Sequence, residues 1–115
     1  MKSATKNTLI TIIIIVAVII LAIFLLKKPS PQTDADTAKC IGFKSVLYVQ
    51  LGCSHCKDQE DMFGTNFQYL NTVDCFYQRD ICTNENITGT PTWVIKGQNY
   101  VGVQSIEQLK ILTGC

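Results

Sequence analysis

With 115 residues, 47% of them apolar, and a formal net charge of +1, the chain has room for one small domain. That excludes a multidomain enzyme, a large barrel or a full dinucleotide-binding fold. The charge excludes broad attraction to nucleic acid, and from Lys39 onward five lysines and one arginine face seven acids.

Residues 9–26 (LITIIIIVAVIILAIFLL) are apolar except for Thr11. As a helix this run spans roughly 27 Å, close to the hydrocarbon thickness of a bilayer. A cleaved signal peptide has a shorter apolar core, followed by a small-residue cleavage site. Here Lys27 and Lys28 close the run and no such site follows. The expectation is a transmembrane anchor over residues 9–28 behind a short tail, residues 1–8. Lys2 and Lys6 balance the two closing lysines, so charge does not set the orientation. The six cysteines do, because all lie between Cys40 and Cys115. A dense, even set in a small domain fits an oxidising compartment. This places the N-terminus in the cytoplasm and the rest outside a cell membrane. Residues 29–38 (PSPQTDADTA) read as a solvated linker, and residues 39–115 as the folded domain.

Within that domain, residues 45–51 (SVLYVQL) read as a strand. Residues 54–70 read as a helix, with Cys56, Met62, Phe63, Phe67 and Leu70 near one face and Gly64 as a weak point. Residues 72–77 form a second short strand and residues 82–86 a helical turn. Residues 92–96 and 99–103 make a hairpin around Gly97-Gln98. Residues 105–112 form a last helix, with Ser105 and Gln108 as a capping box and Gly114 as the stop. The order is β-α-β-α-β-β-α. A helix between the first two strands makes them parallel.

The chemistry concentrates at Cys53-Ser54-His55-Cys56, where the first strand gives way to the first helix of the domain. This spacing at a helix start brings two sulfurs within bonding reach. Cys53 at the cap position faces backbone N–H groups and the positive end of the helix dipole, which stabilise a thiolate. Cys56, one turn in, is suited to attack a mixed disulfide at Cys53. A protonated His55 would add charge favouring the reduced form; the plainer reading of His55 is a solvated spacer. An inert structural disulfide and a zinc site are the rival readings of the pair. Cys75 and Cys82 are spaced too widely for most structural zinc sites, so no metal is expected. Thr90-Pro91 is the second element. Proline lacks an N–H and marks the start of the next strand. A cis bond there would turn the loop toward Cys53 and leave the Thr90 backbone free to pair with an extended substrate.

Cys53-Ser54-His55-Cys56, then Gln59, Met62-Phe63-Gly64, Cys75, Cys82, Gly89-Thr90-Pro91-Thr92-Trp93, Gly97, Tyr100, Gly102 and Ser105 together resemble one group. It is the thioredoxin-like partner domain of bacterial and plant vitamin K epoxide reductase homologues. Cys40 and the closing Thr113-Gly114-Cys115 are similar to free-standing members. The resemblance implies a minimal thioredoxin-like α/β fold preceded by one transmembrane helix. It implies that Cys53 and Cys56 are the redox-active pair, exchanging disulfides with a membrane reductase homologue that passes electrons to a quinone. Three positions depart from the common pattern: Gly52 replaces an aromatic residue, Ser54 replaces a proline, and Leu47 stands where ordinary thioredoxins bury an acid.

Cys75 and Cys82 flank a polar loop and read as a structural bridge or a second relay pair. Cys40 and Cys115 lie at the two ends of the domain. A bridge there closes a loop worth roughly 4 kcal/mol on the chain-entropy model; the alternative is an intermolecular bond. Trp93, two residues past Pro91, either lines a substrate groove or packs on its strand. Asn86-Ile87-Thr88 is a glycosylation sequon.

The expected function is a membrane-anchored, extracytoplasmic thiol–disulfide oxidoreductase without metal or organic cofactor. Cys53 and Cys56 react, Ser54 and His55 tune them, and Gly52, Thr90, Pro91 and Trp93 contact the substrate. Protein thiols are the substrates. The rivals are a tethered reductant or isomerase of the same fold, and a disulfide-stapled binding module without activity.

Overall fold

The structure, a computed structural model, describes residues 2–26 and 32–115. Lys27 and Lys28, expected to close the anchor, and residues 29–31 of the expected linker lie outside the described residues. The chain divides into two units, residues 1–30 and 31–115.

The first unit is helix α1 (Lys2–Leu26). Its Ser3–Leu26 stretch has a mean hydropathy of 3.6. It is long and apolar enough to cross a membrane, since its backbone groups are satisfied along the helix itself. Thr8 and Thr11 donate their hydroxyl protons back to the carbonyls of Ala4 and Asn7, which hides their polarity.

The second unit opens with a helix that the sequence reading did not anticipate, α2 (Ala35–Lys44). The expected linker ran to Ala38; instead the chain is tied into the fold from Gln32. The Thr33 hydroxyl donates to the Met62 carbonyl at 2.8 Å, and the Asn66 amide donates to the Thr33 carbonyl at 2.8 Å. Asp34 caps α2 by accepting from the Thr37 N–H at 2.9 Å. The buried face of α2 is Ala38, Ile41 and Gly42. Two of these three residues are too small to register as a hydrophobic stripe. Gly42 has a steric reason: a Cβ there would overlap the carbonyl oxygen of Tyr69.

The sheet has the order β2-β1-β3-β4. Strand β1 (Ser45–Val49) lies parallel to β2 (Thr72–Asp74) and antiparallel to β3 (Thr92–Ile95), which pairs antiparallel with β4 (Gln98–Val101). The β1–β2 crossover carries helix α3 (Ser54–Phe63). Short helix α4 (Arg79–Asn84) precedes β3, and α5 (Ile106–Thr113) closes the domain. The expected β-α-β-α-β-β-α order is present, with α2 in front, and the fold is thioredoxin-like.

Several boundaries differ from expectation for local reasons. Gly64, at φ +56°, ends α3, and residues 64–69 continue as a 3-10 helix. Strand β2 stops at Asp74, whose carboxylate accepts from the Phe76 N–H at 2.8 Å and turns the chain. The hairpin turns on Lys96-Gly97, both at positive φ, the geometry that matches strand twist in a two-residue loop. Ser105 caps α5 by accepting from the Gln108 N–H at 3.1 Å, and Gly114 ends it in the left-handed region.

One sheet face carries the core. Leu47, Trp93 and Ile95 meet Ala38 and Ile41 of α2, Phe63 of α3, Leu70, and Leu109 of α5. Each large apolar side chain so buried contributes about 1.5–3 kcal/mol.

Candidate active site

The site is built where β1 hands over to α3. After Gln50 the chain turns through Leu51-Gly52, with Gly52 at φ +82°; side chains rarely adopt this conformation. The Cys53 N–H donates to the Gln50 carbonyl at 3.1 Å. This sets Cys53 as the cap residue of α3, and its sulfur accepts from the Cys56 N–H at 3.1 Å. Cys53 and Cys56 are joined as a disulfide with Cα atoms 5.2 Å apart. Cys53 is half-buried and Cys56 is buried, so the sulfur nearer the helix mouth is the more accessible one.

The opposite wall comes from the start of β3. The Thr90–Pro91 bond is cis, and the Thr90 carbonyl oxygen lies 3.6 Å from the Cys53 sulfur. In the disulfide this is a contact, because the sulfur carries no proton; a Cys53 thiol has an acceptor in place. The Pro91 carbonyl accepts from the Gly102 N–H at 2.7 Å, and the Thr92 hydroxyl donates to the Gly89 carbonyl at 2.6 Å. The loop before Pro91 is thus bound to its neighbours on both sides.

A cleft of about 430 Å³ flanks the disulfide, with Val49, Leu51, Cys53, Cys56, Glu60 and Phe67 among its walls. Gly52 borders it, and nothing lies within 4 Å of where a Gly52 Cβ would stand. A second cleft of about 320 Å³ runs from Thr90 and Gln50 to Cys75, Arg79 and Cys82. Lys57, beside the disulfide, is 3.0 Å from Asp61 and 3.6 Å from Glu60. The Asp61 carboxylate, by hydrogen bond and charge, holds its ammonium pKa above the ordinary lysine range.

The other expected site residues fall as follows. Ser54 is exposed on the first turn of α3. His55 is exposed, and its Nδ1 lies 3.4 Å from an Asp58 carboxylate oxygen. A protonated His55 therefore shares its charge with Asp58. Trp93 does not line a groove: it is fully buried in the core, because alternation along β3 turns it to the face opposite Thr92. Leu47 is also fully buried, in the core with Phe63 and Trp93. Cys75 and Cys82 are bonded, joining the end of β2 to α4, with Cα atoms 5.7 Å apart. Cys40 and Cys115 are bonded, joining α2 to the second residue past α5, with Cα atoms 6.0 Å apart. All six sulfurs are thereby paired with one another.

Sequence reasoning passed over one residue. Gln59 enters the sequence pattern as one of its matching positions and carries no role there. Its side chain is fully buried. Its Oε1 accepts from the Trp93 indole N–H at 3.0 Å and from the Gln104 N–H at 2.7 Å. Its Nε2 donates to the Gln104 carbonyl at 3.0 Å. The available signal was a polar residue on the core face of α3, one turn beyond Cys56.

Fold and site together define a thioredoxin-like domain with a paired-cysteine helix start facing a cis-proline loop. No family model matches the chain. It is similar to the thiol-disulfide oxidoreductase LTO1 of Arabidopsis thaliana, 34% identical over 94 residues, covering 74% of this chain and 25% of that protein. The chain thus spans about a quarter of the length of that curated relative. Two solved structures are also similar. One is the N-terminal NTD_N/C domain of the alkylhydroperoxide reductase AhpF from Enterococcus faecalis. It has TM-score 0.49 and 20% identity, over 82% of this chain and 51% of that one. The other is the oxidised thioredoxin from Plasmodium falciparum, with TM-score 0.39 and 17% identity, over 71% of this chain and 90% of that one.

Proposed function

We propose that the chain is a thiol–disulfide oxidoreductase acting through Cys53 and Cys56. The observation that carries this reading is the position of the Cys53 sulfur. It caps α3 at 3.1 Å from the Cys56 N–H and stands 3.6 Å from the Thr90 carbonyl. Partial positive charge at a helix start favours the thiolate and therefore the reduced form, which makes the disulfide a better oxidant. The activity in the name of the Arabidopsis relative supports the same chemistry.

In the oxidising direction, a substrate thiolate attacks the Cys53 sulfur. The Cys53–Cys56 bond breaks, a mixed disulfide forms, and Cys56 leaves as a thiolate that takes up a proton. A second substrate thiolate then attacks the substrate sulfur of the mixed disulfide and releases Cys53. The substrate loses two electrons and two protons, and both active cysteines end reduced. Thr90 and Pro91 form the wall beside which an extended substrate segment lies, Gly52 leaves the other side open, and Ser54 and His55 tune the pair from the exposed first turn of α3.

Helix α1 anchors the domain to a cell membrane, with the N-terminus in the cytoplasm and the domain outside. The substrates are protein thiols. The resemblance to partner domains of vitamin K epoxide reductase homologues supports a quinone-linked membrane protein of that kind as the reoxidant. The test is turnover of reduced ribonuclease and of insulin by the full chain, with Cys53→Ser as control, together with a measured reduction potential. Cys53-dependent oxidation with a potential near roughly −120 mV is expected. A value near roughly −270 mV would make the protein a reductant, and absence of Cys53-dependent turnover would leave a binding module.

A further inference from the structure

Gln59 is the one fully buried side chain, among the described residues, that bonds the redox helix to both segments flanking the Pro91 loop. Trp93 stands two residues beyond Pro91 on β3. Gln104 stands two residues beyond Gly102, whose N–H holds the Pro91 carbonyl at 2.7 Å. Three segments therefore converge on a single amide: α3 with both reactive sulfurs, β3 with Thr90 and Pro91 at its entrance, and the stretch after β4. The partners are a backbone peptide and a rigid indole. Neither can follow a displaced helix without leaving a buried polar group unpaired, which is costly in a dry core.

Other hydrogen bonds between these segments do not duplicate this link. The Cys53 contact to Thr90 involves a sulfur without a proton, and the Gly102–Pro91 bond joins the two wall segments to each other. Position 59 follows Cys56 by three residues, on the same helix face. The amide thus sits one turn beneath the disulfide and on the side facing the wall.

We propose that Gln59 is a positioning residue: its amide, bonded at once to Trp93 and Gln104, holds the Cys53 sulfur in register with the Thr90-Pro91 wall beside which a protein substrate docks. The proposal rests on the oxidoreductase reading. A small thiol reaches Cys53 without needing the wall, whereas an extended polypeptide needs sulfur and wall in register. Loosening the amide link therefore penalises protein substrates selectively.

The test uses the full chain in detergent micelles, as wild type, Gln59→Met and Trp93→Phe. Gln59→Met keeps length and removes every bond from the amide; Trp93→Phe removes only the indole donor and serves if the first variant folds poorly. Rates are measured with glutathione and with reduced ribonuclease, and thermal midpoints are recorded. For Gln59→Met, emission from the chain's single tryptophan reports loss of the indole hydrogen bond. The expected result for Gln59→Met is a glutathione rate within about twofold of wild type and a blue-shifted emission. KM for ribonuclease should rise about tenfold with kcat changed less, and Trp93→Phe should show a smaller rise of the same kind. Equal proportional losses with both thiols, or no change with either, would overturn the positioning role while leaving the oxidoreductase reading intact. A wild-type chain inactive toward both thiols would overturn that reading and this proposal with it.

Discussion

The Cys53 sulfur and the Thr90 carbonyl oxygen are 3.6 Å apart although 37 residues separate them in the chain. The sheet order creates this contact. Strands β1 and β3 are direct neighbours, with Tyr48 opposite Thr92, so the loop leaving β1 and the loop entering β3 meet at the same sheet end.

Mixed-disulfide trapping follows from the unequal exposure of the two sulfurs. A Cys56→Ser chain keeps the accessible Cys53 and loses the buried group that would resolve its adducts. It is expected to accumulate covalent complexes that dissolve on reduction, and Cys53→Ser to accumulate none. Non-reducing electrophoresis followed by mass spectrometry reads both outcomes.

Gly42→Ala sets two effects of opposite sign against each other. Alanine improves helix propensity by about 1 kcal/mol. The new methyl group, however, overlaps the Tyr69 carbonyl, a backbone atom that does not swing aside, and overpacking of this kind costs about 1–3 kcal/mol. The clash, against backbone at a distance no real Cβ contact shows, should win, with net destabilisation of up to about 2 kcal/mol in urea unfolding monitored by circular dichroism. A neutral or stabilised variant would contradict the close approach of α2 to residues 64–69.

Removing the Cys40–Cys115 bond with a double serine variant should cost roughly 4 kcal/mol, because the closed loop is long. The bond joins positions 75 apart in sequence, and neither of its residues lines the clefts beside Cys53 and Thr90. Ribonuclease oxidation by the surviving folded fraction should therefore remain near wild type. Activity per folded molecule, measured well below the thermal midpoint, checks this.

The acid limb of stability should carry a contribution from Asp34. Hydrogen bonds from Thr37 hold its carboxyl below the usual aspartate range, with a smaller contribution from the charge of Lys110. A depressed folded value means the contribution is complete above the unfolded value, near pH 4, and is lost as pH falls through the folded one. Asp34→Asn keeps a cap acceptor without titrating. Its urea midpoint should therefore fall less steeply than wild type below about pH 4, in a series of unfolding curves.

Much of this architecture was readable because it is written in local patterns. The β-branched run at residues 45–49, the paired cysteines after it, Thr90-Pro91, the Ser105 cap and the Gly114 stop each act within a few residues. Helix α2 was not readable: its buried face is small, and two prolines with no large apolar residue through Ala38 carry the signature of a linker. Gln59 was passed over because its importance is a tertiary property. A glutamine on α3 becomes a hub only once β3 and the stretch after β4 are folded against it. The nearness of Trp93 to Pro91 in sequence leaves two readings open, a groove wall or packing on its strand, and strand alternation selects the second by sending it inward.

The bond between Cys40 and Cys115 turns the domain into a covalent ring. A protease that cuts once in an exposed stretch, such as Asn84-Glu85-Asn86, would leave both fragments tied together. The nick would surface only on gels run with reductant. That ring keeps a single cut from separating the two halves of the domain.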